Sequence, residues 1–117
     1  MPFDGPLSYS RSNGVREGVV VLTLDGPLTL RNIFAFQKDL TVDPPAVLIF
    51  DLSKVEYMDS AGIGVLINYY VSAQRNGRMM TLVGANKRLD ALLEMTKVKE
   101  LLKNHPTVEA AEASFSE

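Results

Sequence analysis

The sequence predicts an α/β protein with a mixed, mostly parallel sheet flanked by helices. Three observations carry this expectation. Short β-branched runs at residues 19–24, 47–52 and 79–83 alternate with stretches of helical periodicity. The two runs Val19-Val20-Val21-Leu22-Thr23-Leu24 and Val47-Leu48-Ile49-Phe50-Asp51-Leu52 are apolar on both faces, as in strands covered from both sides. The intervals between them are long enough for helical crossovers, which parallel pairing requires.

Residues 1–6, with two prolines and a glycine, read as a frayed entry. Residues 7–11 alternate apolar with polar and predict an edge strand, ended by the Asn13-Gly14 turn. Residues 19–24 follow as an interior strand, broken by Gly26-Pro27. Thr29 then offers an N-cap, and Leu30, Ile33, Phe36 and Leu40 recur at helical spacing. A first helix is therefore expected over residues 30–40, stopping before Pro44-Pro45. The strand at 47–52 pairs parallel with 19–24 across that helix.

The second helix has the strongest signals. Asp59 or Ser60 supplies the cap, Ile63, Leu66, Ile67, Tyr70 and Ala73 form the apolar stripe, and Arg75 and Gly77 mark the end. A further parallel strand at 79–83 leads to a helix capped by Asn86, with Leu89, Leu92 and Leu93 on one face. Beyond it, Leu101-Leu102 reads as a short strand or a helical turn, and Thr107 caps a last helix using Val108, Ala111 and Phe115.

Composition narrows the function classes. A length of 117 residues predicts one domain, residues 1–117. Twelve Lys and Arg against 14 Asp and Glu leave no basic footprint for nucleic acid or an anionic membrane. The absence of cysteine removes disulfides, thiolate metal sites and cysteine nucleophiles, and a single histidine, His105, is too few for a usual transition-metal set. No metal or cofactor is expected. No apolar run reaches 18 residues and no secretory signal opens the chain, so direct membrane insertion is not expected and a cytoplasmic location is.

Candidate chemistry concentrates in Asp59-Ser60-Ala61-Gly62-Ile63-Gly64, where a helix start exposes free N–H groups. The dinucleotide fingerprint and the phosphate-binding Gly-Lys-Ser/Thr loop are both missing. Ser60 lacks a partner base in sequence and the residue two before it is Met58, so no nucleophile elbow forms. Capping is the preferred role over catalysis, and no catalytic residue is assigned. Asp51, Glu56 and Asp59 read as a solvated acidic rim. Phe34, Ala61, Val65 and Tyr69 fall off the main apolar stripes, which fits either second-face packing or a partner patch. His105 reads as a surface residue, and Lys97, Lys99 and Lys103 as a solvated face.

The run Asp51-Leu52-Ser53-Lys54-Val55-Glu56-Tyr57-Met58-Asp59-Ser60-Ala61-Gly62-Ile63-Gly64-Val65-Leu66 resembles the motif of STAS domains, the sulfate-transporter and anti-sigma-factor-antagonist family. The resemblance extends to Leu24-Asp25-Gly26-Pro27-Leu28, at the family's apolar strand and Gly-x-Leu turn, and to the C-terminal connection over residues 96–107. It implies a STAS-like mixed sheet with flanking helices. For a stand-alone member it implies a bacterial anti-sigma factor antagonist, phosphorylated on one serine by an anti-sigma factor that is a kinase of the histidine-kinase-like ATPase type. Only the unphosphorylated form would bind that kinase. By motif position Ser60 is the phosphoacceptor, and the partner surface comprises Asp59, Ser60, Ala61, Gly62, Val65, Tyr69 and Thr29. Thr29 stands where members often carry Asp, and Ala61 where Ser is common, which leaves one hydroxyl at the site. The same resemblance accommodates a non-phosphorylated scaffold, a transport-accessory subunit, or a small-ligand or nucleotide binder at the helix start.

Overall fold

Five strands form one sheet in the order in which they occur along the chain. The computed structural model describes residues 5–115. Strand β1 (Ser8–Asn13) lies antiparallel to β2 (Val19–Asp25), while β3 (Val47–Lys54), β4 (Met79–Val83) and β5 (Asn104–His105) continue the sheet in parallel. Helices α1 (Ile33–Asp39), α2 (Ser60–Arg75) and α3 (Lys87–Met95) are the three crossovers, and α4 (Val108–Ala113) follows β5.

The order of the strands fixes the layers. Because it never reverses from β2 to β5, right-handed crossovers place α1, α2 and α3 on the same face. Alternation along the strands then divides the apolar side chains. Leu22, Leu24, Leu48, Phe50, Leu52, Met80 and Leu82 pack with Phe36, Leu66, Tyr69, Leu89 and Leu93 of the three helices. Val19, Val21, Ile49 and Val83 point the other way and pack with Ala111 of α4. A chain of edge-on ring contacts, Tyr9 to Phe36 to Phe50 to Tyr69, crosses the larger core from the outer strand to α2.

The sequence reading needs correction at the start of α1 and at His105. Helix α1 begins at Ile33, not at residue 30, and its N-cap Asn32 makes no side-chain capping bond. Thr29 is therefore not a cap. Residues 29–32 form a turn instead, closed by Asn32 N–H donating to the Thr29 carbonyl. At the N-terminus, residues 1–4 of the expected frayed entry lie outside the described residues, and the Gly5 carbonyl accepts from Asn32 Nδ2 at 3.4 Å. Of the two alternatives for Leu101-Leu102 the helical turn is the one found, with both N–H groups donating to the Val98 carbonyl, and the short strand falls two residues later. His105 belongs to that strand and is half-buried rather than on the surface.

The remaining expectations on caps hold. Asn86 accepts from Leu89 N–H at 2.8 Å, and Thr107 accepts from Ala110 N–H at 3.1 Å. Lys97, Lys99 and Lys103 are exposed, and Lys99 bridges Asp90 and Glu94 across solvent.

Candidate functional site at the start of α2

The site is assembled from two chain segments. After β3 the chain runs through Val55 and Met58, both buried, and enters α2. After β2 it turns at Gly26 and lays Leu28 beside Met58 in a single parallel bridge. Leu28 N–H donates to the Tyr57 carbonyl at 3.0 Å, and Asp59 N–H donates to the Leu28 carbonyl at 3.3 Å. Gly62 makes this approach possible. A Cβ there would lie 2.4 Å from the Leu28 carbonyl oxygen and 2.6 Å from Met58 Cγ, whereas one on Gly64 would meet nothing within 4 Å.

Asp59 holds both segments. Its Oδ1 accepts from Ala61 N–H at 3.0 Å and Gly62 N–H at 3.1 Å, and its Oδ2 accepts from Leu30 N–H at 3.1 Å. Ile63 N–H donates to the Asp59 carbonyl at 3.1 Å. Of the first four helical N–H groups, which have no partner inside the helix, three are thus satisfied and only that of Ser60 remains open.

Ser60 is exposed, and its hydroxyl makes no hydrogen bond among the described residues. The open choice of cap is resolved in favour of Asp59. Ser60 occupies the first helical position with both its hydroxyl and its N–H turned to solvent.

The other residues expected at a partner surface are distributed unevenly. Asp59 and Ala61 are half-buried, and Gly62 is buried under Leu28. Val65 and Tyr69, at 3% and 6% exposure, are core residues, so they support α2 from beneath and do not form an outer patch. The buried face of α2 is Ile63, Val65, Leu66, Tyr69 and Ala73, with Ile67 and Tyr70 of the expected stripe half-buried at its edge, and Tyr69 meets Phe50 of β3 edge-on. Thr29, at 6%, is also buried, and its hydroxyl has no hydrogen-bond partner among the described residues. Its N–H donates to Asn32 Oδ1 at 2.9 Å, which holds the turn.

Two apolar side chains are exposed beside this turn: Leu30, at 59%, and Phe34, at 68%, in the first turn of α1. Sequence reasoning placed Leu30 on the buried stripe of a helix that starts later than expected, and so missed it. Phe34 was identifiable by its position off the stripe.

The acidic residues do not form a ligand set. Asp51 accepts from Ser53 N–H and Oγ, and Asp59 is committed to backbone donors. Among the described residues no three His, Asp or Glu side chains converge on a metal position, and no helix is long and apolar enough to cross a membrane.

Fold and site together define a class: an α/β domain that presents an uncommitted serine at a helix start, framed by a loop clamped through one carboxylate. The chain belongs to the STAS domain family, whose model matches residues 10–111. It is similar to a protein of Thermotoga maritima assigned as an anti-sigma factor antagonist, with 29% identity over 99 residues, 81% of this chain and 88% of that one. Among solved structures, an anti-sigma factor antagonist from Mycobacterium paratuberculosis superposes with a TM-score of 0.82 at 20% identity, over 95% of this chain and 94% of that one. The Bacillus antagonist SpoIIAA in its unphosphorylated form superposes with a TM-score of 0.75 at 14% identity, over 92% and 96% of the two chains. SpoIIAA has also been solved phosphorylated. At these identities the superpositions establish the shared fold.

Proposed function

We propose that this protein is an anti-sigma factor antagonist that binds its anti-sigma factor through the surface around Ser60 and is released when Ser60 is phosphorylated. The partner on this reading is itself the kinase, of the histidine-kinase-like ATPase type. One observation carries the proposal. Ser60 is exposed and unengaged at the first position of a 16-residue helix, because Asp59 has taken over the capping.

The chemistry suits a modified residue better than a catalytic one. A serine nucleophile needs a base in hydrogen-bond reach, and the Ser60 hydroxyl has none among the described residues. A phosphate there, by contrast, meets the positive end of α2 and the open Ser60 N–H, an attraction of about 0.3–1 kcal/mol. The adjacent Asp59 carboxylate opposes it by a similar amount in water. The modification is therefore nearly neutral for the fold, and its effect falls on the partner. An interface closed over the phosphate must strip its water and meet two neighbouring negative charges.

Leu30 and Phe34 supply the apolar part of the same surface. Their exposure beside a phosphorylatable serine gives an interface with a dehydrating centre and a charge-sensitive edge.

The test is incubation with MgATP and the partner kinase, followed by intact-mass measurement and peptide mapping. Gain of one phosphate on Ser60, lost in Ser60→Ala, is expected. Phosphate on Ser53 or Thr29 with Ser60 unmodified overturns the site. Unchanged mass with intact partner binding identifies a constitutive scaffold instead.

A further inference from the structure

A groove runs between α1 and α2 on the helical layer, from Val65 in the second turn of α2 to Arg78 beyond its end. Its floor is Val65 and Tyr69, its walls include Leu40 and Pro44, and Ser72 and Arg78 close one end. Arg78 donates from one guanidinium nitrogen to the Tyr69 hydroxyl and from another to Ser72 Oγ, both at 3.2 Å. Its guanidinium carbon also sits 5.5 Å from the Tyr69 ring centroid. These contacts fix the guanidinium in place without neutralising it, since Arg78 has no carboxylate partner among the described residues.

Tyr69 does not compensate that charge either. Burial pushes its phenol up from the ordinary value, and the opposing guanidinium groups of Arg78 and Arg11 do not reverse the direction. It stays a neutral phenol at physiological pH. The groove end therefore combines a held guanidinium and hydroxyl groups, next to an apolar trough. A guanidinium keeps several N–H donors beyond the two used here, in the fork that matches a carboxylate or phosphate.

We propose that the α1–α2 groove binds a small anionic amphiphile, a single carboxylate or phosphate head on a short aliphatic chain, with the head on Arg78 and the chain along Leu40 and Val65. The dimensions agree. Ser72 and Val65 are seven residues apart on α2, about 10 Å along the axis, close to the length of an eight-carbon chain. The head group at Ser72 and Arg78 would lie about three helical turns from Ser60, and the Val65 end of the trough about one and a half.

The test uses sodium octanoate, octyl phosphate and 1-octanol below their aggregation concentrations, titrated into the uniformly ¹⁵N-labelled protein. Saturable shifts confined to Tyr69, Ser72, Arg78 and the end of α1 are expected with octanoate or octyl phosphate, and whichever head binds more tightly names the source. Arg78→Gln should weaken that binding about tenfold or more, the value of a charge-assisted hydrogen bond, in a variant whose amide spectrum shows it folded. Should Arg78→Gln fail to fold, Asn68→Trp on the exposed rim blocks the groove and should abolish the shifts. Binding of octanol as tight as that of octanoate, shifts that never saturate, or full affinity in a folded Arg78→Gln or Asn68→Trp variant would each overturn the proposal.

Discussion

The Asp59 carboxylate joins Leu30 to the start of α2, accepting from the Leu30 N–H on one oxygen and from Ala61 and Gly62 on the other, across 29 residues of sequence. One side chain thus caps a helix and fastens a loop. Asp59→Ala removes both functions and should cost about 1–2 kcal/mol. Each kcal/mol lowers the melting temperature by roughly 4–8 °C in a domain of this size. Asp59→Asn keeps one acceptor oxygen for Ala61 and Gly62 but sets an NH2 group against the Leu30 N–H, so in a urea or thermal melt it should recover the capping part of the loss and not the part due to the loop.

Ser60→Ala should leave stability within about 0.5 kcal/mol, because the hydroxyl satisfies nothing in the fold. Asn86→Ala provides the contrast, since Asn86 caps α3 and its loss should cost about 1 kcal/mol. Equal losses in parallel denaturation curves would return Ser60 to a structural role.

Ser60→Asp, as an imperfect phosphate mimic, should keep the melting temperature within a few degrees. Affinity for the anti-sigma partner should nevertheless fall by about two orders of magnitude, or about 3 kcal/mol, measured by calorimetric titration. A large drop in melting temperature would mean that the charge acts through the fold.

The two glycines of α2 should behave oppositely. At Gly62 a methyl group collides with the Leu28 carbonyl, so Gly62→Ala should destabilise by about 1–3 kcal/mol and displace the Leu30 loop. Gly64 has open space around its Cβ position, and Gly64→Ala should stabilise the helix by about 0.5–1 kcal/mol. Paired melts and amide shifts of residues 28–32 distinguish the two.

Tyr9 donates its hydroxyl to Asp39 Oδ2, and this bond first, with burial and the Asp39 charge behind it, pushes the phenol up to about 12. The folded state thus retains a proton that the unfolded chain releases near pH 10. The stabilisation is complete below pH 10 and disappears as the pH rises to about 12. Tyr9→Phe should lose that slope, so the wild-type melting temperature should fall more steeply than the variant's in this window.

Much of the architecture was legible because the β-branched runs and capping residues act locally. Val19 to Leu24 and Met79 to Val83 appear as read, and Asn86 and Thr107 cap where expected. The misreadings arise from long-range contacts. Leu30 has helical spacing with Ile33, yet its N–H is taken by Asp59, so the helix starts later. Two-residue β5 exists only because Leu82 and Val83 pair with Asn104 and His105, which no local pattern encodes. At the site, the motif marks the start of α2, but the burial of Val65, Tyr69 and Thr29 is set by tertiary packing that no local pattern encodes.

Because the Asp59 clamp ties Leu30 to the residue before Ser60 from a distant stretch of chain, the recognition surface proposed above would be a conformational epitope. No linear peptide around Ser60 contains it. A kinase that reads Leu30 and Phe34 along with the acceptor serine would modify only molecules that have already folded, and would ignore nascent or proteolysed chains. Short peptides copied from residues 55–66 should accordingly be poor competitors, however faithfully they reproduce the sequence around the serine.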